Sequence, residues 1–483
     1  MRRAGVLLPV YSLPSKYGIG CFSKEAYDFV EMLERMGQTC WQILPLGPIT
    51  YGDSPYQSPS TFAGNYMYID LESLIEEGLL TKSECKKLLD KNGVKVDYDL
   101  LRSKKPELLY KAYERADIVK DEEFAAFCNN TSWLEEYATY CAFKEYFNDK
   151  PWYEWDESEC DRIRYELRDR ICFHKYVQYL FDKQWKKLKA YANGKGVAII
   201  GDLPIYVAYD SADCWGDKKL FQLDENNRPK AVAGCPPDVF SPTGQLWGNP
   251  LYDWDYHKKT GYGWWIRRID RCREMFDITR IDHFRGFDEY YSIPYGDETA
   301  ERGHWEKGPG LPFFEMLKQW FGGIDIIAED LGILTDSVRT LVKNTGFPGM
   351  RILHFAFNEE HDSAYLPHLC DKNCIVYTGT HDNNTTVGWF QELDAAMAQY
   401  VADYVDGDIN DPVDVCHKLV RTALATTADT VIIPLQDYLC LDKNCRTNIP
   451  GTVGGNWAWR VTSDQLDAME ENSIKKMTKL YGR

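Results

Sequence analysis

Short apolar runs recur along this chain of 483 residues, and most of them end in polar, glycine or proline residues. Runs of this length, rich in valine, isoleucine and leucine, are typical of strands that are buried on both faces of a parallel sheet. The candidate strands are residues 4–9, 39–46, 197–203, 277–282, 324–330, 350–357, 374–380 and 430–435.

Helical patterns lie between several of these runs. One covers Lys24–Met36, where Phe29 and Leu33 share a face, and others cover residues 173–191 and 337–344. Alternation of strand and helix indicates a parallel sheet, and eight such units predict an α/β fold, a closed (β/α)8 TIM barrel. A doubly wound open sheet is the alternative, but no G-x-G-x-x-G follows the first strand, so its usual dinucleotide-binding form is excluded.

Two gaps between candidate strands are too long for a simple crossover. The first is charged, helical in pattern and poor in glycine and proline, which predicts a mostly helical inserted subdomain at residues 71–165. Residues 1–70 would then form the first two units of the barrel and residues 166–483 the remainder. The second gap contains AVAGCPPDVFSPTGQLWGNP, whose composition favours a long ordered active-site loop at residues 204–260 over a domain.

The charge balance limits the possible partners. A net charge of −18 argues against nucleic acid or an anionic membrane, because both require a basic surface. Aromatic residues make up 14% of the chain, including 15 Trp and 32 Tyr. Their rings could stack on sugars or fill a large core, and composition does not separate these two readings.

The 15 cysteines show no regular disulfide framework, and the close pairs among them lack zinc-site spacing. The N-terminal segment has no signal-peptide apolar region, and no apolar stretch approaches the roughly 18 residues of a membrane span. We therefore expect a cytoplasmic protein with reduced thiols, with no metal and no organic cofactor.

Acidic residues occur where four of the candidate strands end. The segments are VAIIGDLPIYV with Asp202, ITRIDHFRGF with Arg280, Asp282 and His283, IIAEDLG with Glu329 and Asp330, and VYTGTHDNNT with His381 and Asp382. In a barrel these strand ends converge on one pocket. Any single acid could belong to a structural ion pair, such as Arg280 with Asp282, but the set at corresponding positions favours catalysis.

Glycosyl transfer requires this kind of chemistry. One carboxylate attacks the anomeric carbon, a second donates a proton to the departing oxygen, and a further ionised acid stabilises the positive transition state. An arginine beside the nucleophile would keep that carboxylate ionised. The residue types alone do not assign these roles among the acids.

The four segments, in this order, resemble the signature regions of the α-amylase clan, and more closely those of the amylomaltase family, also called disproportionating enzymes or 4-α-glucanotransferases. The resemblance spans nearly the whole chain and is weakest at residues 71–165. Further similar segments are LLPVYSLPSKYGIG at 7–20, WQILPLGP at 41–48, YGDSPYQSPSTFAGN at 51–65, PPDVFSPTGQLWGNPLYDW at 236–254 and GNWAWR at 455–460.

This resemblance implies a role for each site residue. Asp282 would be the nucleophile, Glu329 the acid/base and Asp382 the transition-state stabiliser. The implied substrate-binding residues are Arg280 beside Asp282, His283 and His381 at the cleavage subsite, Asp202 holding the site, Tyr56 stacking on the non-reducing sugar, Phe240, Trp247 and Asn249 on the acceptor path, and Tyr51 as an accessory glucan contact. The substrates would be α-1,4-glucans and maltooligosaccharides, as both donor and acceptor.

The chain departs from the family pattern at two positions. Asn384 stands where many relatives carry an acid, and Val239 stands where an aromatic residue is common. Two other functions remain open at this point: hydrolysis by an amylase of the same clan, and glucan binding by a barrel that has lost catalysis. Retention of Asp282, Glu329 and Asp382 argues against the second.

Overall fold

The computed structural model describes residues 2–50, 52–90, 93–237, 241–332 and 334–483. Its strands are β1 Arg3–Leu7, β2 Cys40–Gln42, β3 Ala198–Leu203, β4 Ala231–Cys235, β5 Gln245–Pro250, β6 Ile278–Ile281, β7 Glu289–Pro294, β8 His304–Lys307, β9 Ile326–Ala328, β10 Gly349–Ile352, β11 Cys374–Tyr377 and β12 Thr430–Pro434.

The α-helices are α1 Lys24–Met36, α2 Leu71–Glu76, α3 Tyr98–Arg115, α4 Glu122–Asn130, α5 Leu134–Tyr146, α6 Glu157–Glu166, α7 Arg168–Gly194, α8 Ala212–Gly216, α9 Trp254–Lys259, α10 Gly263–Met275, α11 Leu311–Phe321, α12 Asp336–Thr345, α13 Thr386–Glu392, α14 Ala395–Val405, α15 Pro412–Ala425, α16 Leu435–Tyr438, α17 Ser463–Asp467 and α18 Glu471–Leu480. None of the described helices is both long and apolar enough to cross a membrane.

Eight parallel strands close into a barrel in the order β1-β12-β11-β10-β9-β6-β3-β2. Each of them lies within or overlaps one of the eight apolar runs, so the predicted (β/α)8 barrel is confirmed and the open-sheet alternative is wrong. The three predicted helices are also confirmed, as α1 and as parts of α7 and α12.

Two apolar clusters hold the barrel together. One consists of inward-facing side chains of the barrel strands: Leu7, Cys40, Ile200, Ile327, Met350, Ile352, Ile375, Tyr377 and Ile432. A much larger cluster fills the space around the strands and packs the helices onto them. Because side chains alternate along a strand, Ile200 and Asp202 face the same way, as do Ile278 and Arg280. The interior face that is apolar lower in the barrel therefore becomes polar at its carboxyl end.

The region between β2 and β3 contains the helices α2 to α7, and within its described residues no extended strand occurs. The division at residues 70 and 165 into separate units stays a prediction.

Residues 204–260, predicted as a long ordered loop, contain the helices α8 and α9 and two strands, β4 and β5, of an antiparallel sheet with the order β5-β4-β7-β8. The sequence hides this sheet because β4 and β5 are short and glycine-containing, and because β4 pairs with β7, which lies beyond the barrel strand β6. This small sheet stands beside the carboxyl ends of β3 and β6.

Candidate active site

Backbone hydrogen bonds bring three of the acids to one rim of the barrel. Asp202 pairs in register with Arg280 on the neighbouring strand. Beyond the end of β6, the Asp282 N–H donates to the Leu203 carbonyl at 3.0 Å, and the Glu329 N–H donates to the Ile281 carbonyl at 3.1 Å. The backbone hydrogen-bonding pattern of the sheet thus continues for one residue past the strands, and it fixes Asp282 and Glu329 at adjacent positions.

Arg280 links two of these carboxylates. Its Nη1 lies 2.8 Å from both oxygens of Asp202 and 3.0 Å from Oδ1 of Asp282. The side chains of Arg280 and Asp202 are only 3% and 0% exposed, whereas that of Asp282 is 30% exposed. Burial lowers the pKa of Arg280, but the two carboxylates raise it well above its ordinary value, so the guanidinium stays charged. Asp202 therefore anchors Arg280, and Arg280 presents its charge to Asp282.

The electrostatics of Asp282 are those of a crowded cluster. Burial has the largest effect on its pKa and raises it, while Arg280 lowers it. The carboxylates of Asp202, Glu329 and Asp382 raise it again, so the pKa lies above the ordinary 3.8. Among strongly coupled acids an apparent pKa belongs to the group as a whole. The cluster therefore retains a proton more readily than isolated carboxyl groups do.

Glu329 is held by two backbone donors. Its Oε2 accepts from the His283 N–H at 2.7 Å, and its Oε1 accepts from the Leu331 N–H at 2.9 Å. The His283 N–H reaches it from a left-handed backbone conformation, φ +50°. Such conformations are uncommon for a residue with a side chain and often mark functional sites. The turn after β6 thus orients Glu329 on the neighbouring strand.

Asp382 lies on the loop that follows β11, and its side chain is 44% exposed. Its Oδ1 accepts from Asn448 Nδ2 at 2.6 Å, and its backbone carbonyl accepts from Arg446 Nη2 at 2.6 Å. Nε2 of His381 lies 3.4 Å from Oδ2. The carboxylate is thereby fixed from one side while its other side remains open to the cleft.

Tyr56 and His381 form an aromatic wall of the site. Their rings stack with centroids 5.4 Å apart at 17°, and Trp457 packs against both at 5.6 and 5.9 Å. The Tyr56 hydroxyl donates to Asp202 Oδ2 at 2.7 Å and lies 2.9 Å from His381 Nε2. The wall is therefore tied to the same carboxylate that anchors Arg280.

Trp247 and Asn249 belong to β5 of the small sheet, and His283 lies against Trp247. The Trp247 ring meets His283 edge to face at 4.9 Å. Asn249 donates to the Val207 carbonyl at 2.8 Å, and Gln57 Nε2 lies 3.2 Å from Asn249 Oδ1. Burial lowers the pKa of His283 to about 3, so its imidazole is neutral at pH 7.

The structure brings together ten of the twelve site residues that the sequence singled out. The two remaining, Tyr51 and Phe240, lie outside the described residues, as does Val239. Asn384 points away from Asp382 and donates to Glu392 at 3.0 Å. Across the described residues, no three His, Cys, Asp or Glu side chains are grouped so as to hold a metal ion.

Sequence reasoning missed three residues of this site. Trp457 lies within GNWAWR, and Asn448 lies shortly before it. Gln57 lies in the segment that also carries Tyr56. Their contacts with Asp382, Tyr56 and Asn249 join loops that are distant in sequence, so no local pattern indicated them. For Gln57 and Trp457 the similarity of segments 51–65 and 455–460 to the amylomaltase family was the available signal, whereas Asn448 lies outside both segments.

Comparisons with known proteins agree with this geometry. Residues 8–466 match the sequence model of a family described as 4-alpha-glucanotransferase. The chain is 47% identical to the 4-alpha-glucanotransferase of Streptococcus pneumoniae, with 100% of this chain and 97% of the relative covered. It is 44% identical to that of Clostridium butyricum, with 98% and 99% covered. The structure also matches an amylomaltase from Streptococcus agalactiae in complex with acarbose, with a TM-score of 0.95, 40% identity and full coverage of both chains.

Proposed function

The chain belongs to the 4-α-glucanotransferase family, and on that basis we propose that its barrel-rim site moves segments of α-1,4-glucan between maltooligosaccharides. The segment passes from a donor glucan to the 4-hydroxyl of glucose or of another glucan. The observation that carries this proposal is the position of Asp282, which lies 3.0 Å from a buried arginine and at the strand end next to Glu329. A charged nucleophile beside a backbone-oriented acid is what retaining transfer requires.

The first step breaks the donor glycosidic bond. A carboxylate oxygen of Asp282 attacks the anomeric carbon, and protonated Glu329 gives its proton to the departing oxygen. The step requires that Asp282 be ionised, and the Arg280 guanidinium, whose Nη1 lies 3.0 Å from Asp282 Oδ1, favours that form. The products are a glycosyl ester on Asp282 and a shortened glucan with a free 4-hydroxyl.

The second step is the reverse of the first, with a new glucan as the acceptor. Glu329, now a carboxylate, takes the proton of the acceptor 4-hydroxyl, whose oxygen attacks the anomeric carbon and displaces Asp282. Two inversions restore the α configuration, and each residue returns to its starting protonation state.

Asp382 and the two histidines act on the sugar itself. The half-exposed carboxylate of Asp382 stabilises the positive charge that develops on the ring in both transition states. Nε2 of His283 and Nδ1 of His381 are buried and lack a hydrogen-bond partner in the part of the chain that the structure describes. Sugar hydroxyls supply these missing partners when a glucan binds.

The test of the proposal is incubation of the purified protein with maltotriose, followed by chromatography of the products and an assay of reducing ends. Transfer gives glucose and a ladder of longer maltooligosaccharides while the number of reducing ends stays nearly constant. Rising reducing ends with only glucose and maltose would assign the site to hydrolysis, and unchanged maltotriose would contradict both activities.

The roles of the two principal acids are separated by α-maltosyl fluoride, whose leaving group needs no proton. Glu329→Gln should still form the glycosyl ester from this donor, which intact-protein mass spectrometry detects, although it fails with maltotriose. Asp282→Asn should form no ester from either donor. An ester on Asp282→Asn, or none on Glu329→Gln, would contradict the assignment.

A further inference from the structure

Three residues outside the active site form a cluster with its own chemistry. Cys416 and His417 lie side by side on α15, and Cys440 follows α16 with a left-handed backbone conformation, φ +49°. Sγ of Cys440 lies 3.6 Å from Nε2 and 3.8 Å from Nδ1 of His417. We call Cys416, His417 and Cys440 the thiol cluster.

Both sulfur atoms of the thiol cluster contact the same backbone carbonyl oxygen. Both thiols donate to the same acceptor, the Asp437 carbonyl, at 3.4 Å from Cys416 and 3.6 Å from Cys440. Because the two sulfur atoms contact the same oxygen atom, rotation of the two side chains can bring them towards bonding distance.

The two thiols differ in access and in charge. Cys416 is fully buried, whereas Cys440 is partly exposed beside the exposed His417. Cys416 has the largest effect on the pKa of the Cys440 thiol and lowers it; burial raises this pKa, and His417 lowers it further. His417 is itself flanked by Asp411 and Asp414, and Cys440 raises its pKa, so imidazolium and thiolate stabilise one another. Partly exposed thiolates beside a resolving cysteine are the sites that oxidise first.

The acceptor of both thiols connects the cluster to the active site. The Asp437 side chain is 1% exposed and accepts from Thr378 Oγ1 at 2.5 Å, from the Thr386 N–H at 2.8 Å and from Thr386 Oγ1 at 2.7 Å. These two threonines flank the loop that carries His381 and Asp382. Asp437 therefore holds both ends of that loop through its carboxylate and both thiols through its carbonyl.

We propose that the thiol cluster is an oxidation site at which peroxide joins Cys416 to Cys440, and that this disulfide lowers transfer activity by displacing the loop between Thr378 and Thr386. The thiolate of Cys440 attacks one peroxide oxygen, the O–O bond breaks, and hydroxide leaves as water after taking a proton. The Cys416 sulfur then gives up its proton and attacks the sulfenic sulfur, the S–O bond breaks, and a second water leaves. Two thiols and one peroxide give one disulfide and two waters.

A second close pair provides a matched control. Cys370 and Cys374 also shift one another's pKa, but both are buried, and Cys374 begins β11 at the end of the barrel away from the active site. Peroxide lacks the access to this pair that the exposed edge of the thiol cluster gives it.

The experiment treats the reduced full-length protein with hydrogen peroxide, maps disulfides by mass spectrometry after alkylation, and measures transfer on maltotriose before and after dithiothreitol. We expect a bond between Cys416 and Cys440 and a roughly two- to thirtyfold loss of kcat that dithiothreitol restores. Cys440→Ser should keep full activity in peroxide, and Cys370→Ser should respond as the unaltered protein does.

The proposal is overturned if the bond does not form, if it forms without loss of activity, or if Cys440→Ser loses activity equally. Mild alkylation of Cys440 in the unaltered protein gives a second measure, since it should also prevent the bond. The activity measurement rests on the proposed function, whereas the disulfide map does not; failure of that function would appear as an inactive reduced protein.

Discussion

At the scale of single residues, Arg280 determines how the acids of the rim share their charge. It is almost fully buried and contacts both Asp202 and Asp282. Removing one partner from such a buried pair leaves an uncompensated charge, which costs far more than the net value of the interaction. We therefore expect Asp202 to be a positioning residue, which allows a buried cation to remain beside the proposed nucleophile Asp282.

The raised pKa of Asp282 makes a prediction about stability. A carboxyl group whose pKa is higher in the folded state binds more protons folded than unfolded, so stability falls as pH rises above the unfolded pKa. Asp282→Asn removes this group. The melting temperature of the variant relative to the unaltered protein should therefore be higher at about pH 8 than at about pH 5. Calorimetry at both pH values checks this, and a difference of opposite sign would mean that Arg280 dominates.

The hydrogen bond from Asn448 to Asp382 makes a prediction about catalysis. Asn448→Ala removes a donor to a carboxylate, worth about 1.5–3 kcal/mol, so kcat on maltotriose should fall roughly 10- to 150-fold with little change in KM. Asn448→Asp should lose more, because it places a like charge beside Asp382. Asn444→Ala, an exposed position on the same segment, is the matched control. A rise in KM with unchanged kcat would instead make Asn448 a ground-state substrate contact.

Residue types at the strand ends were enough to predict which acids lie in the site, but not which other residues contact the site. Asp282, Glu329 and Asp382 each follow an apolar run, so the barrel alone places them at one rim. Asn448 and Gln57 are polar residues in irregular segments, where a functional contact and an ordinary surface position look the same in sequence. The roles assigned to these residues stay predictions until the variants are measured.

At the scale of elements, the eight barrel strands and three helices could be predicted because each carries a local signal, a continuous apolar run for a strand and a repeating apolar face for a helix. The four-stranded sheet could not. Its strands AVAGC and QLWGNP contain glycine and few β-branched residues, and their pairing depends on β7, which lies beyond a barrel strand. Non-local pairing of this kind leaves no signal in a short window.

Gly201 tests how closely β3 packs against Phe276, the residue that follows α10. Gly201 directly precedes Asp202 in the chain. A Cβ atom at Gly201 would lie 2.1 Å from Cγ of the Phe276 ring. Gly201→Ala should therefore lower the free energy of unfolding by about 1–3 kcal/mol in urea titrations.

Two comparisons make this prediction specific. Gly194→Ala adds a methyl group where nothing lies within 4 Å and should change stability by no more than about 1 kcal/mol. Phe276→Leu should recover part of the loss in the double variant if the ring is the obstacle. Equal effects of the two alanine substitutions would contradict the packing explanation.

At the scale of the whole molecule, we expect the net charge of the chain to have no effect on how it binds its substrate. The chain carries a net charge of −18, yet glucans are neutral and gain nothing from long-range attraction. In the proposed mechanism the charges that act on the reaction are those of Arg280, Asp282, Glu329 and Asp382, which lie within one pocket, where salt screens them less than it screens surface charges. We therefore expect kcat/KM on maltotriose to change by less than about twofold between about 50 and about 500 mM sodium chloride. A steep, log-linear dependence would show that a charged group of the substrate or of a partner takes part in the encounter, which a purely glucan-transferring site does not require.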